Sequence, residues 1–312
     1  SEAVKNLNAK LQAEHHFRDK QITLNLREND IDGWKSEMSL SLDSIPLDNA
    51  GFGTQNMVKT EMFMQQNVDV DILIIEEPEN NLSYTNMSIL ISRLSENTNK
   101  QIFISTHSSF VANKMGLQHI HLVGDGNTKP FKVLSKATYN YFIKLPGFNT
   151  LRVLLANKII LVEGPADELI IQRAYKDNYG KLPIEDGIDV MSVGGVAFKR
   201  YCELARLINK NIVIVTDNDG DPSGVKENYS DFSDIVDLCI EEDENLNTLE
   251  PSVLSANKDN FEDFRAIIYH KTDIQSINYE NLNRFMEHNK AEWSMRVFLS
   301  DKRINHPKYI LK

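Results

Sequence analysis

Four carboxylates in the second half of this 312-residue chain are placed as metal ligands are placed. Glu163 ends the apolar run Lys158-Ile-Ile-Leu-Val, Asp217 and Asp219 end the run Ile212-Val-Ile-Val-Thr, and Glu250 follows an acidic loop. A carboxylate at the point where a buried parallel strand emerges lies on the sheet edge that open α/β folds use for ligands. Several such groups repel one another unless a cation lies between them. Hard oxygen donors without a His or Cys cluster favour Mg²⁺ or Mn²⁺ over zinc. Two such cations about 3.5–4 Å apart are the arrangement that hydrolyses phosphodiesters, one activating water and the other stabilising the leaving oxygen.

These residues need a scaffold, and the spacing supplies one. Strand, Glu-Gly, helix, strand, Gly194-Gly195, helix and strand-Asp-Asn-Asp follow in order, which predicts α/β structure with a parallel sheet flanked by helices. This order resembles the Toprim domain of topoisomerases, primases and a group of nucleases over roughly residues 157–255. Glu163, Asp217 and Asp219 are its expected core ligands.

Upstream, Asp71-Ile-Leu-Ile-Ile-Glu-Glu-Pro-Glu reads as a fully apolar strand ending in carboxylates, and Gln101-Ile-Phe-Ile-Ser-Thr-His as a second buried strand ending in a histidine. Between them residues 80–97 have helical spacing, with Leu82, Ile89, Leu90 and Leu94 on one side. This resembles the Walker B and switch region of ATP-binding-cassette ATPases, and the resemblance assigns Glu76 to Mg²⁺, Glu77 to water activation and His107 to sensing the γ-phosphate. Gly51-Phe-Gly53 ahead of an apolar helix is similar to the signature loop that meets the nucleotide of a partner subunit. A cassette ATPase followed directly by Toprim, with Glu-Glu-Pro-Glu, is similar to the OLD (overcoming lysogenization defect) nucleases over about residues 45–300, and to the related Gabija nuclease subunit of bacterial anti-phage defence.

That resemblance implies a metal-dependent DNA endonuclease or nickase regulated by an ATPase lobe, with DNA as substrate, a homo-oligomeric state and a possible helicase-like defence partner. It adds a second acid four positions after Glu163, where Asp167 stands with Glu168 beside it, and Glu250 in Thr248-Leu-Glu as a further ligand. It also adds Lys290, at a helix start, as a cation for charge growing on the phosphate. The catalytic set is then Glu163, Asp217, Asp219 and Lys290, and the metal set Glu163, Asp167, Asp217, Asp219 and Glu250. A different reading keeps Toprim as a non-cleaving platform in a nucleotide-sensing or DNA-binding dimer, although such a platform has no need of the full acid set. The helix-cap reading of Asp167 and Glu168, in which they only complement the helix N-terminus, stays open.

The expected division is a partial ATPase lobe over 1–156 and a Toprim domain with a helical C-terminal extension over 157–312. A linking segment runs from Thr128 to Asn157 and is broken at Pro146-Gly147. Two features depart from the ATPase pattern. Glu76 stands where Asp is usual, and no Gly-x-x-x-x-Gly-Lys-Ser/Thr occurs in the 312 residues. With an expected helix over 1–17 and a hairpin over 21–26 and 38–42, the chain reads as a fragment that does not hydrolyse ATP alone; ATP is a ligand of the parent protein. A cassette degenerated to dimerisation is the weaker reading, because Glu77 and His107 are both present.

A net charge of −11 does not exclude DNA, because the acid is concentrated. Residues 234–250 hold seven Asp or Glu and no base, whereas 258–312 hold ten Lys or Arg against eight acids. Two cysteines, Cys202 and Cys239, are too few for a disulfide framework or a zinc site, which suggests a reducing, cytoplasmic setting. No apolar run approaches the ~18 residues that span a membrane. A topoisomerase would need a nucleophilic tyrosine on a separate DNA gate, and a primase a helicase-binding or zinc module.

Overall fold

The computed structural model describes residues 8–9, 16–17, 20–27, 37–64, 71–96, 100–124, 126–144, 152–154, 156–269 and 277–312. The chain falls into two units, Ser1–Met115 and Gly116–Lys312. The helix expected over 1–17 and the Pro146-Gly147 break lie largely outside the described residues, and His16–Phe17 is a short strand, β1.

In the first unit, β1, β2 (Lys20–Arg27), β3 (Glu37–Leu42) and β4 (Ile45–Pro46) form an antiparallel sheet that includes the expected hairpin. Helix α1 (Phe52–Met64) packs Met57 and Val58 against Ile22, Leu42 and Leu47. A second, parallel sheet pairs β5 (Ile72–Glu76) with β6 (Gln101–Ser105), joined through α2 (Tyr84–Glu96) and followed by α3 (Ser109–Met115). Leu90, Ile91 and Leu94 of α2 and Val111 of α3 cover Leu73, Ile75, Ile102 and Ile104. The runs read as strands buried on both faces, but Ile72, Ile74 and Phe103 on the opposite face are exposed. The side chains alternate between the two faces as a period of two requires, and among the described residues only one face is covered.

The second unit begins with the hairpin β7 (His121–Gly124) and β8 (Asn127–Pro130) and helix α4 (Lys136–Lys144). These elements precede the expected boundary near Ala156, yet Phe131, Leu134, Phe142 and Val153 share one core with the strands that follow. The sheet contains β9 (Lys158–Val162), β10 (Ile188–Ser192), β11 (Ile212–Val215) and β12 (Val236–Cys239). All are parallel, in the spatial order β10-β9-β11-β12. Helix α5 (Pro165–Tyr179) follows β9, α6 (Phe198–Leu207) follows β10 and α7 (Pro222–Asn228) follows β11.

Alternation along the strands makes the sheet the middle of three layers. Ile159 and Leu161 of β9, Met191 of β10, and Ile212 and Ile214 of β11 face Phe198, Tyr201, Cys202 and Leu204 of α6. Their neighbours Ile160, Val162, Val190, Val213 and Val215 point the other way, toward Ile171 of α5. Helix α5 is apolar on a further side, where Ala166 and Ile170 join a helical tail. That tail contains α8 (Leu249–Ala256), α9 (Phe261–Ile268), α10 (Tyr279–His288), α11 (Lys290–Leu299) and a short α12 (Lys308–Leu311). Trp293, Phe264, Leu282 and Met286 fill the centre of this layer and are fully buried.

Candidate active site

The strand order explains why the acids meet. After β9 the chain crosses to β10 on one side, and after β11 it crosses to β12 on the other. The loops leaving β9 and β11 therefore diverge and leave a crevice between the two strand ends. Glu163 and Asp217 lie at that crevice, one and two residues beyond the ends of β9 and β11.

Glu163 is fixed from both strands. Its Oε1 accepts hydrogen bonds from the Thr216 hydroxyl and, at 3.0 Å, from the backbone N–H of Asp217. Its carbonyl accepts from Gly194 N–H at 3.0 Å and from the Ser192 hydroxyl at 3.2 Å. Gly194 has φ +74°, the left-handed turn that favours glycine, and the β10–α6 loop then passes Gly195 beside the Glu163 carboxyl, where an added Cβ would lie at a contact distance of 3.4 Å.

Asp167 opens α5 and accepts a hydrogen bond from Gly164 N–H at 3.0 Å, closing the helix start. Its carboxyl is nevertheless pushed up to about 6, by burial first and then by the charges of Glu163 and Glu250. The cap role and the cluster role are thus combined in one side chain. Glu168 faces elsewhere, accepting from Ser192 N–H and Gln172 Nε2, each at 3.4 Å. Asp217 is raised further, to about 8, by burial and then by Glu163, Asp167 and Glu250, with Lys290 opposing.

Glu250 is 1 % exposed, on the first turn of α8. Lys290 Nζ lies 3.3 Å from its Oε1 as an ion pair, and neither carboxylate oxygen otherwise has a hydrogen-bond partner. Burial pulls the Lys290 ammonium down, but Glu250, with Asp217 and Asp167, more than offsets this and holds it above the ordinary lysine value. The lysine side chain remains half exposed, so its cation is open to solvent.

The fold therefore brings Glu163, Asp167, Asp217, Glu250 and Lys290 together. It does not bring Asp219 into that field. Asp219 is exposed, has φ +49°, donates its N–H to Asn247 O at 3.2 Å, and is absent from the charges acting on Asp167 and Asp217. Among the described residues no three His, Cys, Asp or Glu side chains close to metal-ligand distance. The donor chemistry still fits a hard divalent cation: the donors are all oxygens, one carboxylate is buried with both oxygens short of partners, and two acids are raised by burial and then by the charges of their neighbours.

Three contributors were not evident from sequence. Thr216 holds Glu163, as described above. Asn218, 1 % exposed between the two aspartates, donates to the carbonyls of Glu241 and Asp243 at 2.9 Å each and so ties the acidic loop to the end of β11. The only sequence signal for either was its position beside Asp217. The third, Glu79, lies in the first unit.

In that unit Glu77 has φ +42° and donates its N–H to Ser105 O at 2.8 Å, while its Oε1 lies 3.5 Å from His107 Nε2. A non-glycine residue in the left-handed region is a strained conformation of the kind held at functional turns. Glu79 accepts from the Thr106 hydroxyl at 2.7 Å and from His107 N–H at 3.0 Å, fastening the two strand-end loops together. Glu76 is exposed at the end of β5. Gly51 is exposed ahead of α1, whereas Gly53 is buried where a Cβ would lie 2.2 Å from the Asn81 carbonyl, so Gly53 serves close packing of that loop.

Residues 154–219 match the model of the overcoming lysogenization defect protein-like Toprim domain, and residues 1–112 match that of an AAA ATPase domain. Among solved structures, the C-terminal region of the Xanthomonas campestris pv. campestris OLD protein aligns over 51 % of this chain and 91 % of that one, with 22 % identity and a TM-score of 0.38. No curated protein matches the chain. No helix of the described residues is long and apolar enough to cross a membrane.

Proposed function

We propose that this chain, which joins an AAA ATPase-type segment to an OLD-like Toprim domain, is a Mg²⁺- or Mn²⁺-dependent DNA endonuclease or nickase. The OLD-like Toprim domain supports a nuclease-type function. The observation that carries the finer reading is the meeting of Glu163, Asp167, Asp217 and Glu250, with Lys290, at the crevice between β9 and β11.

Glu163, Asp167, Asp217 and Glu250 would hold the metal. A bound divalent cation would lower the pKa of an attacking water and offset charge on the phosphate. Asp217, raised to about 8, keeps a proton at neutral pH until a cation enters. Glu163, tied to Thr216 and Asp217, holds the two strand ends in register. Lys290 presents an exposed cation to the same crevice, where it meets negative charge developing on the phosphodiester. Asp219, set apart from the cluster, takes the more peripheral position of the ligand set.

The AAA ATPase-type first unit supports regulation by ATP, through Glu76, Glu77 and His107. Work on DNA as a homo-oligomer, in cytoplasmic anti-phage defence with a helicase-like partner, completes the proposal. The test is incubation of supercoiled and linear DNA with the purified chain in Mg²⁺, Mn²⁺ or EDTA. Nicking or cutting that EDTA abolishes is the expected result, and intact DNA in both metals refutes the reading.

A further inference from the structure

Tyr309 stands outside every motif, 59 residues beyond Glu250, and yet the elements that carry the carboxylates meet around it. Its ring is buried in one cluster with Val162, Ile171, Val190 and Val215. Val162 immediately precedes Glu163, Val215 lies two residues before Asp217, and Ile171 is one helical turn beyond Asp167. Its hydroxyl also lies within reach of the Ser252 side chain. The Ser252 hydroxyl donates in turn to the carbonyl of Thr248 at 2.8 Å, at the start of the helix that carries Glu250. The elements of Glu163, Asp167 and Asp217 thus share one cluster with this side chain, and that of Glu250 reaches it through Ser252.

The segment that delivers Tyr309 is fastened independently. Arg173 of α5, 3 % exposed, donates to the carbonyls of Val297, Ser300 and Lys302. Asn257 and Asn305 exchange two hydrogen bonds of 2.8 Å, and His306 Nε2 pairs with Asp177 at 2.9 Å. A terminal turn of four residues has little stability of its own, so these ties fix where Tyr309 enters.

We infer that Tyr309 is a positioning residue of the carboxylate site, through which the C-terminal segment holds the ends of β9 and β11 and the starts of α5 and α8 at one mutual spacing. This rests on the metal reading proposed above. Carboxylates supported in this way lose metal affinity when the support is removed, by about 10- to 100-fold in comparable outer-shell changes.

The test is Mn²⁺ binding to the full chain by titration calorimetry, for the unaltered protein, Tyr309→Phe, Tyr309→Ala and Asp217→Asn, alongside single-turnover DNA cleavage across a Mn²⁺ series. Tyr309→Phe keeps the ring and removes only the hydroxyl, so it is expected to fold normally and to weaken Mn²⁺ binding about fivefold. Excess Mn²⁺ should restore its cleavage. Tyr309→Ala should weaken binding roughly 10-fold or more. A purely structural tyrosine would lower the melting temperature while leaving Mn²⁺ affinity and the metal dependence of cleavage unchanged, and that result overturns the inference. If Tyr309→Ala unfolds, Tyr309→Phe decides alone. Failure of the unaltered chain to bind Mn²⁺ removes the metal reading itself, a distinct outcome from equal binding by all the tyrosine variants.

Discussion

Replacing Asp217 with asparagine keeps the shape of the side chain and removes one charge from a crowded crevice. The unfolded chain ionises this carboxyl near 3.8, whereas the folded protein resists ionisation until about 8. Stability from the neutral form is therefore fully present below pH 4 and is lost as the pH rises through 8. Counted in full at about 1.36 kcal/mol per pH unit, the displacement is worth about 6 kcal/mol. Asp217 is partly open to solvent and shares its field with three other acids, so roughly half of that, about 2–3 kcal/mol, is the more defensible figure. For a unit of this size each kcal/mol moves the melting temperature by about 2–4 °C. Asp217→Asn should thus melt about 5–10 °C above the unaltered protein at pH 8.5 in EDTA, and with it at pH 4. Adding millimolar Mn²⁺ should reverse the order, because the cation stabilises the charged form that the variant lacks. Thermal unfolding followed by circular dichroism over this pH series measures all three. A difference that does not change with pH, or an asparagine variant that melts lower at pH 8.5 in EDTA, refutes the reasoning that burial and the neighbouring acids together hold Asp217 neutral here.

Lys290→Ala should lower single-turnover cleavage by roughly 10²–10³-fold with little loss of DNA binding, if the ammonium meets charge that develops as the bond breaks; weakened binding with normal turnover would make it a phosphate contact. Gly53→Ala should destabilise the first unit by about 1–3 kcal/mol, since the new methyl would run into the Asn81 carbonyl and the Leu82 side chain, and chemical denaturation monitors this. Trp293→Ala, in the centre of the helical layer, should cost about 3–5 kcal/mol by the same measurement. ATP at millimolar concentration should leave the melting temperature of the 312-residue chain unmoved, because the sequence contains no phosphate-binding glycine-lysine loop; a rise of several degrees would show that this half-cassette holds nucleotide.

What could be read in the sequence was what short range determines. The runs ending at Glu163 and Asp217 are strands because four or five β-branched or aliphatic residues precede a loop, and the parallel order follows from the helices between them. The same logic placed Glu76 and His107 at the ends of β5 and β6. The sequence did not reveal which side of a short motif would face the site. Asp-Asn-Asp looks like a pair of ligands around a spacer, but Asn218 is the buried member, spent on the acidic loop, and the turn that lets it point inward carries Asp219 outward with a left-handed φ. The Asp167–Glu168 pair is of the same kind: the helix start turns Asp167 back toward Gly164 and leaves Glu168 beside Ser192.

The boundary near Ala156 illustrates a second limit. Position between the two motif regions and the Pro146-Gly147 break suggested a linker over 128–157, whereas Phe131 and Phe142 share a core with Tyr201, and only long-range burial could show it. Tyr309 is the extreme case. Nothing local distinguishes Pro-Lys-Tyr-Ile-Leu from any amphipathic end, because its role depends on where Arg173, Asn257 and Asp177 fasten the preceding residues. A carboxylate cluster assembled from four elements needs something that touches all four. In this fold we assign that role to Tyr309, far along the chain from Glu163, and on that assignment the site reaches its final geometry only once the helical tail has docked on α5.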